Sequence, residues 1–155
     1  ERLPLYGGGY YDAQYQLWSP GPIIRMQEDA SALYSPELYR RYLEPIDREL
    51  ARRFPCAFMH LHSTSMHLLD LFLGIEELRC FEVNYEVLSG GPPMREMVRY
   101  YRRFQEGDKS MLIRGSFTPD ELRLLMDTLE PRGLYLYIMV ESPAEADALR
   151  PLVGM

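Results

Sequence analysis

"AFMHLHSTSMHLLDLFLG", Ala57 to Gly74, decides the fold. Its first six residues read as a strand, and the hydroxyl run Ser63-Thr64-Ser65 follows at once. From Met66 the apolar residues fall at helical spacing until Gly74 stops them. The hydroxyl run reads as the cap of that helix. Strand, short turn, helix and glycine make one unit, and the rest of the chain repeats it.

Upstream, "IIRMQ" (Ile23–Gln27) reads as a strand and "SPELYRRYLEPIDRELARRF" (35–54) as a helix. Ser35 is its N-cap, Pro36 its first helical residue, and Glu37 lies in its first turn. Downstream, the strand "LRCFEVN" precedes a helix over 92–107 that ends at Gly107, with a solvated basic face. The strand "SMLIRG" precedes "TPDELRLLMDTLE" (118–130), where Thr118 and Glu121 form a capping box. The strand "LYLYIMVE" (134–141) precedes a helix over 142–153, with Ser142 as N-cap and Pro143 after it.

Strand–helix alternation with short loops predicts an α/β fold whose parallel strands are joined by helical crossovers. Two architectures follow: a doubly wound open sheet, or a partial TIM-type barrel of about five strand–helix units. Five (β/α) units do not close the usual eight-stranded barrel. A barrel therefore implies other units on missing sequence or on a second chain. Residues 1–155 are expected to form one domain. Residues 1–22, rich in glycine, proline and aromatics, read as an irregular lead-in, and 23–155 as the carboxyl-terminal part of the barrel. Tyr10, Tyr11, Tyr15 and Trp18 either cover a pocket or simply pack under the loop.

The 155 residues are 46% hydrophobic and 26% charged, a composition that builds a core rather than a disordered chain. The net charge is -6 and no basic run occurs, which argues against nucleic-acid binding. No apolar run is long enough to span a membrane, and no stretch reads as a signal peptide. Cys56 and Cys80 read as buried free thiols, which fits a reducing cytoplasm.

Ligands of parallel α/β folds bind at the carboxyl ends of the strands. Each strand here turns polar at that end. Side chains alternate with period two, so Arg25, Gln27 and Asp29 share one face, as do Phe58, His60 and His62, and Cys80, Glu82 and Asn84. Tyr135, Tyr137, Met139 and Glu141 share another, and "MLIRG" ends at Arg114. These strand ends predict a polar pocket.

His60 and His62 lie ~6.6 Å apart along the strand and point the same way, so both imidazoles can reach one metal ion. Catalytic zinc takes three protein ligands and an open position. Glu141 is the first candidate for the third ligand, with Asp29 and Glu82 as alternatives. The other reading is metal-free hydrogen bonding, to the surroundings or to a substrate carboxylate. His67, inside the next helix, reads as a structural or rim residue. The glycines at Gly7–Gly9 lack the strand–helix frame of a dinucleotide loop.

Taken in order, "QEDASALYSPELYRRYLEPI", "FMHLHST", "FEVNYE", "IRGSFTP" and "IMVESP" resemble the carboxyl-terminal half of the uroporphyrinogen decarboxylase superfamily. That superfamily includes zinc-dependent methyltransferases acting on corrinoids or thiols. The resemblance spans about residues 23 to 150. It implies an eight-unit barrel whose amino-terminal half is absent from this chain. In the methyltransferases a His-x-Cys pair falls at His60 and His62 and a later cysteine near Glu141, which implies a His, His, Glu zinc set here. Asp29 or Glu82 would then orient the ligands or move protons.

The decarboxylases imply a second expectation: a metal-free reaction on a porphyrinogen or another carboxylated substrate. Arg25 and Arg114 would pair its carboxylates, and a histidine would protonate the product carbanion. Two departures stand against it: Asp29 replaces a small hydroxyl residue, and Glu141 falls near a histidine of those enzymes. A third expectation is an inactive half-barrel that needs a partner, by homodimerisation or with the missing amino-terminal half. The expected partners are otherwise a small molecule (porphyrinogen, corrinoid or thiol) and neither nucleic acid nor membrane.

Overall fold

Residues 10–19 of the lead-in are more ordered than its composition predicts. In the computed structural model, which describes residues 7–154, β1 (Tyr10–Asp12) and β2 (Leu17–Ser19) pair antiparallel, Tyr10 opposite Ser19. Asp12 Oδ1 accepts the Tyr15 N–H at 2.9 Å, and Gln16 takes a positive φ of 56°. A side chain that closes its own turn makes a hairpin where composition suggested none.

Five strands follow in one all-parallel sheet: β3 (Ile23–Gln27), β4 (Cys56–His62), β5 (Leu78–Asn84), β6 (Ser110–Gly115) and β7 (Leu134–Ile138). Their spatial order is their chain order. A doubly wound sheet reverses order at a switch point. This one does not, so it is a partial β/α barrel.

The crossover helices are α1 (Pro36–Leu38), α2 (Glu44–Arg52), α3 (Leu69–Leu73), α4 (Met94–Glu106), α5 (Pro119–Thr128) and α6 (Pro143–Leu149). A π-helical turn, Tyr39–Leu43, joins α1 to α2 just before Pro45, whose ring cannot donate to the preceding turn. Ser35, Thr118 and Ser142 cap as expected, and Thr118 with Glu121 completes the capping box.

The run after β4 departs from expectation. Ser63–Leu68 is a 3-10 turn, and its hydroxyls do not cap a helix. Ser63 and Ser65 are fully buried: Ser63 Oγ accepts the Glu86 N–H at 3.1 Å, and Ser65 Oγ accepts from Ser31 at 2.6 Å. Neighbouring loops use hydroxyls that a sequence reading gives to the helix. β7 also ends early, at Ile138, so Met139, Val140 and Glu141 lie beyond the sheet. Cys56 and Cys80 are free but only half-buried, not buried.

One sheet face packs on the helices. Met59, Leu61, Phe81, Val83, Met111 and Ile113 meet Phe72, Met97, Tyr101, Phe104, Leu122 and Leu125 in one core. Full burial of such side chains contributes roughly 1.5–3 kcal/mol each. The opposite face carries Phe58, Leu112 and half-buried Cys80, Tyr135 and Tyr137, with Tyr15 of the hairpin packed on it. Across that face the register aligns Gln27, His60, Glu82, Leu112 and Tyr135 in one row. The next row is His62, Asn84, Arg114 and Tyr137. Parallel pairing thus brings the polar ends of neighbouring strands side by side. Among the described residues, no helix is long and apolar enough to cross a membrane.

Candidate metal centre

Two inward residues of β4 begin the site. His60 is buried at 5% exposure, while His62, one turn of the pleat further on, is partly open. Their Nε2 atoms face each other at 3.3 Å. Asp29 follows β3, and its Oδ1 lies 3.6 Å from His60 Nε2 and 3.7 Å from His62 Nε2. A point equidistant from these three atoms is about 2.0 Å from each, the length of a zinc–nitrogen or zinc–oxygen bond. The group is the one candidate metal cluster among the described residues.

Both imidazoles are braced from behind. His60 Nδ1 contacts Glu82 Oε2, and His62 Nδ1 lies 2.6 Å from Glu86 Oε2. Ionised carboxylates only accept, so each Nδ1 carries the hydrogen and each Nε2 presents a lone pair. Two lone pairs and the Asp29 carboxylate therefore converge with no donor between them. A cation in their midst turns mutual repulsion into attraction.

The braces are themselves held. Glu82 is fully buried, and its Oε1 accepts from Arg114 Nε at 3.2 Å. Glu86 Oε1 accepts from the Asn84 side-chain amide. Tyr15, on the hairpin, stacks on the His60 ring at 5.8 Å between centroids, and its hydroxyl lies 3.1 Å from His60 Nδ1. Burial raises the Tyr15 pKa, with the Glu82 charge adding to the shift and Arg114 and Arg25 opposing it. It stays a neutral hydroxyl at physiological pH.

His60, His62 and Asp29 thus meet at one point, with Glu82 and Arg114 behind them. Glu141 does not join them. It is exposed, and its backbone N–H donates to Glu145 Oε2 at 2.8 Å in the turn before α6. β5 and β6 stand between β4 and β7, a separation of about 14 Å at ~4.8 Å per strand. The early end of β7 carries Glu141 out of the polar row, and Asp29 takes the position expected of it. Arg25 is turned toward the hairpin, bonded to the Gln14 side chain and 3.8 Å from Asp12. His67 is exposed and hydrogen-bonds Tyr34 O at 2.9 Å, a rim contact as expected.

Two site residues escape the strand-by-strand reading. Glu86 continues the period-two series of Glu82 and Asn84 past the end of β5, so extending the alternation by one step finds it. Tyr15 reaches the site from the hairpin, and only its membership of the aromatic lead-in signals it. The thiols stand apart: burial, with the Glu82 charge adding, pushes Cys80 up to about 12. A thiol held protonated is a poor metal ligand. No family model, curated protein or solved structure matches this chain.

Proposed function

We propose that the chain is the site-bearing part of a zinc-dependent, methyltransferase-like enzyme, with the metal on His60, His62 and Asp29. The observation that carries this reading is the convergence of two bare Nε2 atoms and a carboxylate oxygen within 3.3–3.7 Å of one another. Two histidines and one carboxylate form a donor set that catalytic zinc uses with an open fourth position. Bound there, zinc lowers the pKa of a coordinated thiol or water.

The chain's own residues supply the rest. Glu82 and Glu86 fix the imidazole tautomers, and Arg114 holds Glu82 in place. Tyr15 covers His60 and keeps water from its inner side. Asp29, with its side chain 63% exposed, sits at the open mouth where substrate enters. Methyl transfer to or from a thiol, with a corrinoid as methyl carrier, rests on the order of the sequence motifs alone. The metal-free decarboxylase reading is less well supported, because Arg25 is already bonded to the Gln14 side chain of the hairpin.

One observation favours a partner. Among the described residues β3 and β7 each pair on one side only, so the sheet has two open edges there. A second copy or an amino-terminal half-barrel would cover them. Light scattering tests self-association, since a stable monomer in solution would exclude the homodimer.

Cobalt substitution tests the function. Cobalt(II) in this site should give the intense visible bands of a tetrahedral centre, and added 2-mercaptoethanol should add a thiolate-to-cobalt charge-transfer band. Saturating thiol with no such band would sink the thiol-activation reading.

A further inference from the structure

Beside the metal centre, at the carboxyl ends of β5 and β6, lies a cavity of about 440 Å³. Asn84, Glu86 and Arg114 form its polar wall, and Val87, Leu88 and Met139 its apolar rim. Glu86 of this wall braces His62, while Asn84 and Arg114 hold Glu86 and Glu82 in place. Cavity and metal centre therefore share one network.

The charges of this wall are unequally committed. Glu86 gives one oxygen to His62 and the other to Asn84. Glu121, also on the wall, gives one oxygen to the Tyr85 hydroxyl and the other to the Thr118 cap. Buried Glu82 gives one to His60 and one to Arg114. Arg114 gives its Nε to Glu82 and lies 5.9 Å over the Tyr15 ring, and its two terminal nitrogens have no hydrogen-bond partner among the described residues. A guanidinium with two free parallel donors recognises a carboxylate in bidentate fashion.

The rim calls for something else. Leu88 is fully exposed, and Val87 and Met139 are 43% and 47% exposed. Apolar side chains grouped at the mouth of a pocket with one convergent charge are the usual lining of a small-ligand site.

We propose that this cavity is the substrate site and takes a carboxylate with an apolar tail. The carboxylate sits on the terminal nitrogens of Arg114 and the tail lies against Val87, Leu88 and Met139. This deepens the metal-centre reading and rests on it only for the reacting group. Without a metal, Asp29, Glu82, Glu86 and Glu121 outweigh Arg114 by three formal negative charges. A divalent ion offsets two of them, so zinc strengthens binding of an anion.

The test uses hexanoate and 1-hexanol, which share a tail and differ in charge. Each is titrated into the metal-free and the zinc-loaded chain while the methyl resonances of Leu88 and Met139 are followed. Hexanoate should bind about tenfold more tightly than hexanol in both forms, and more tightly still with zinc. Arg114→Gln should abolish the preference for the anion. Leu88→Asp, at a fully exposed position, should weaken both probes, which share the tail, and hexanoate the more.

Equal affinities for the two probes would overturn the proposal. So would methyl resonances that do not move, or a preference for hexanoate that survives Arg114→Gln, because the carboxylate would then sit on the metal. Failure of zinc to bind would instead remove the metal-centre reading, and the hexanoate preference of the metal-free chain would still be readable.

Discussion

Glu86→Gln changes one atom of the side chain that orients His62. The native contact is a carboxylate oxygen 2.6 Å from His62 Nδ1. A hydrogen bond to a charged group contributes about 1.5–3 kcal/mol, and a neutral one about 0.5–1.5. Glutamine keeps one acceptor for His62 but loses the charge and the oxygen that accepts from Asn84, so the expected loss is about 1 kcal/mol. Glu86 is a quarter exposed, and solvent screening places the effect near the lower end of the range. At 1.4 kcal/mol per decade, zinc affinity falls roughly fivefold.

Glu86→Ala removes the acceptor altogether and strands the Asn84 amide. It should cost more, within the roughly 10–100-fold expected for loss of an outer partner of a metal-bound histidine. Competition against a chromophoric chelator measures both. Glu141→Ala is the control and should leave the affinity unchanged. A Glu86→Gln protein within twofold of the parent would refute the bracing role, as would an equal loss in Glu141→Ala.

Two further predictions concern stability. Thr118→Ala removes the Oγ that accepts the Glu121 N–H at 3.3 Å, and should cost about 1 kcal/mol. For a chain of this size that lowers Tm by roughly 2–4 °C in a thermal melt, and an unchanged Tm would count against the cap. The metal-free chain should also lose stability between about pH 4.5 and 7. Burial raises the Asp47 carboxyl despite its bond from the Tyr39 hydroxyl at 2.6 Å. Burial, with Asp47 and Asp29 nearby, pushes Glu28 up to about 7. Both groups hold protons in the folded chain that the unfolded chain releases, so their stabilisation is full at low pH and fades as pH rises. Asp47→Asn should flatten the decline, and a Tm that rises with pH across this window would refute it.

The strand–helix rhythm was legible because parallel strands and their crossovers leave local marks: Ser35-Pro36, Thr118-Pro119 and Ser142-Pro143 open helices, and Gly74 and Gly107 close them. His60 and His62 were legible as a same-face pair because a strand has period two. The third member of the cluster was harder to assign, since which polar end lies beside which depends on strand order. β3 neighbours β4 and brings Asp29, whereas β7 is three strands away and its early end releases Glu141. Ser63 and Ser65 misled because a hydroxyl after a strand suits a helix cap and a buried loop contact equally well. Tyr15 was the least legible, because its hairpin is closed by one Asp12 side chain and reaches the site only by folding back over the sheet.

Zinc content is the most direct measure of the central claim. The parent chain, stripped with chelator, reloaded with zinc and desalted, should retain an equimolar amount by elemental analysis. Glu141→Ala should retain the same, while His62→Ala and Asp29→Ala, each still folded by circular dichroism, should lose it. Equimolar zinc in the folded His62→Ala and Asp29→Ala chains, or none in the parent, would contradict a metal centre on His60, His62 and Asp29.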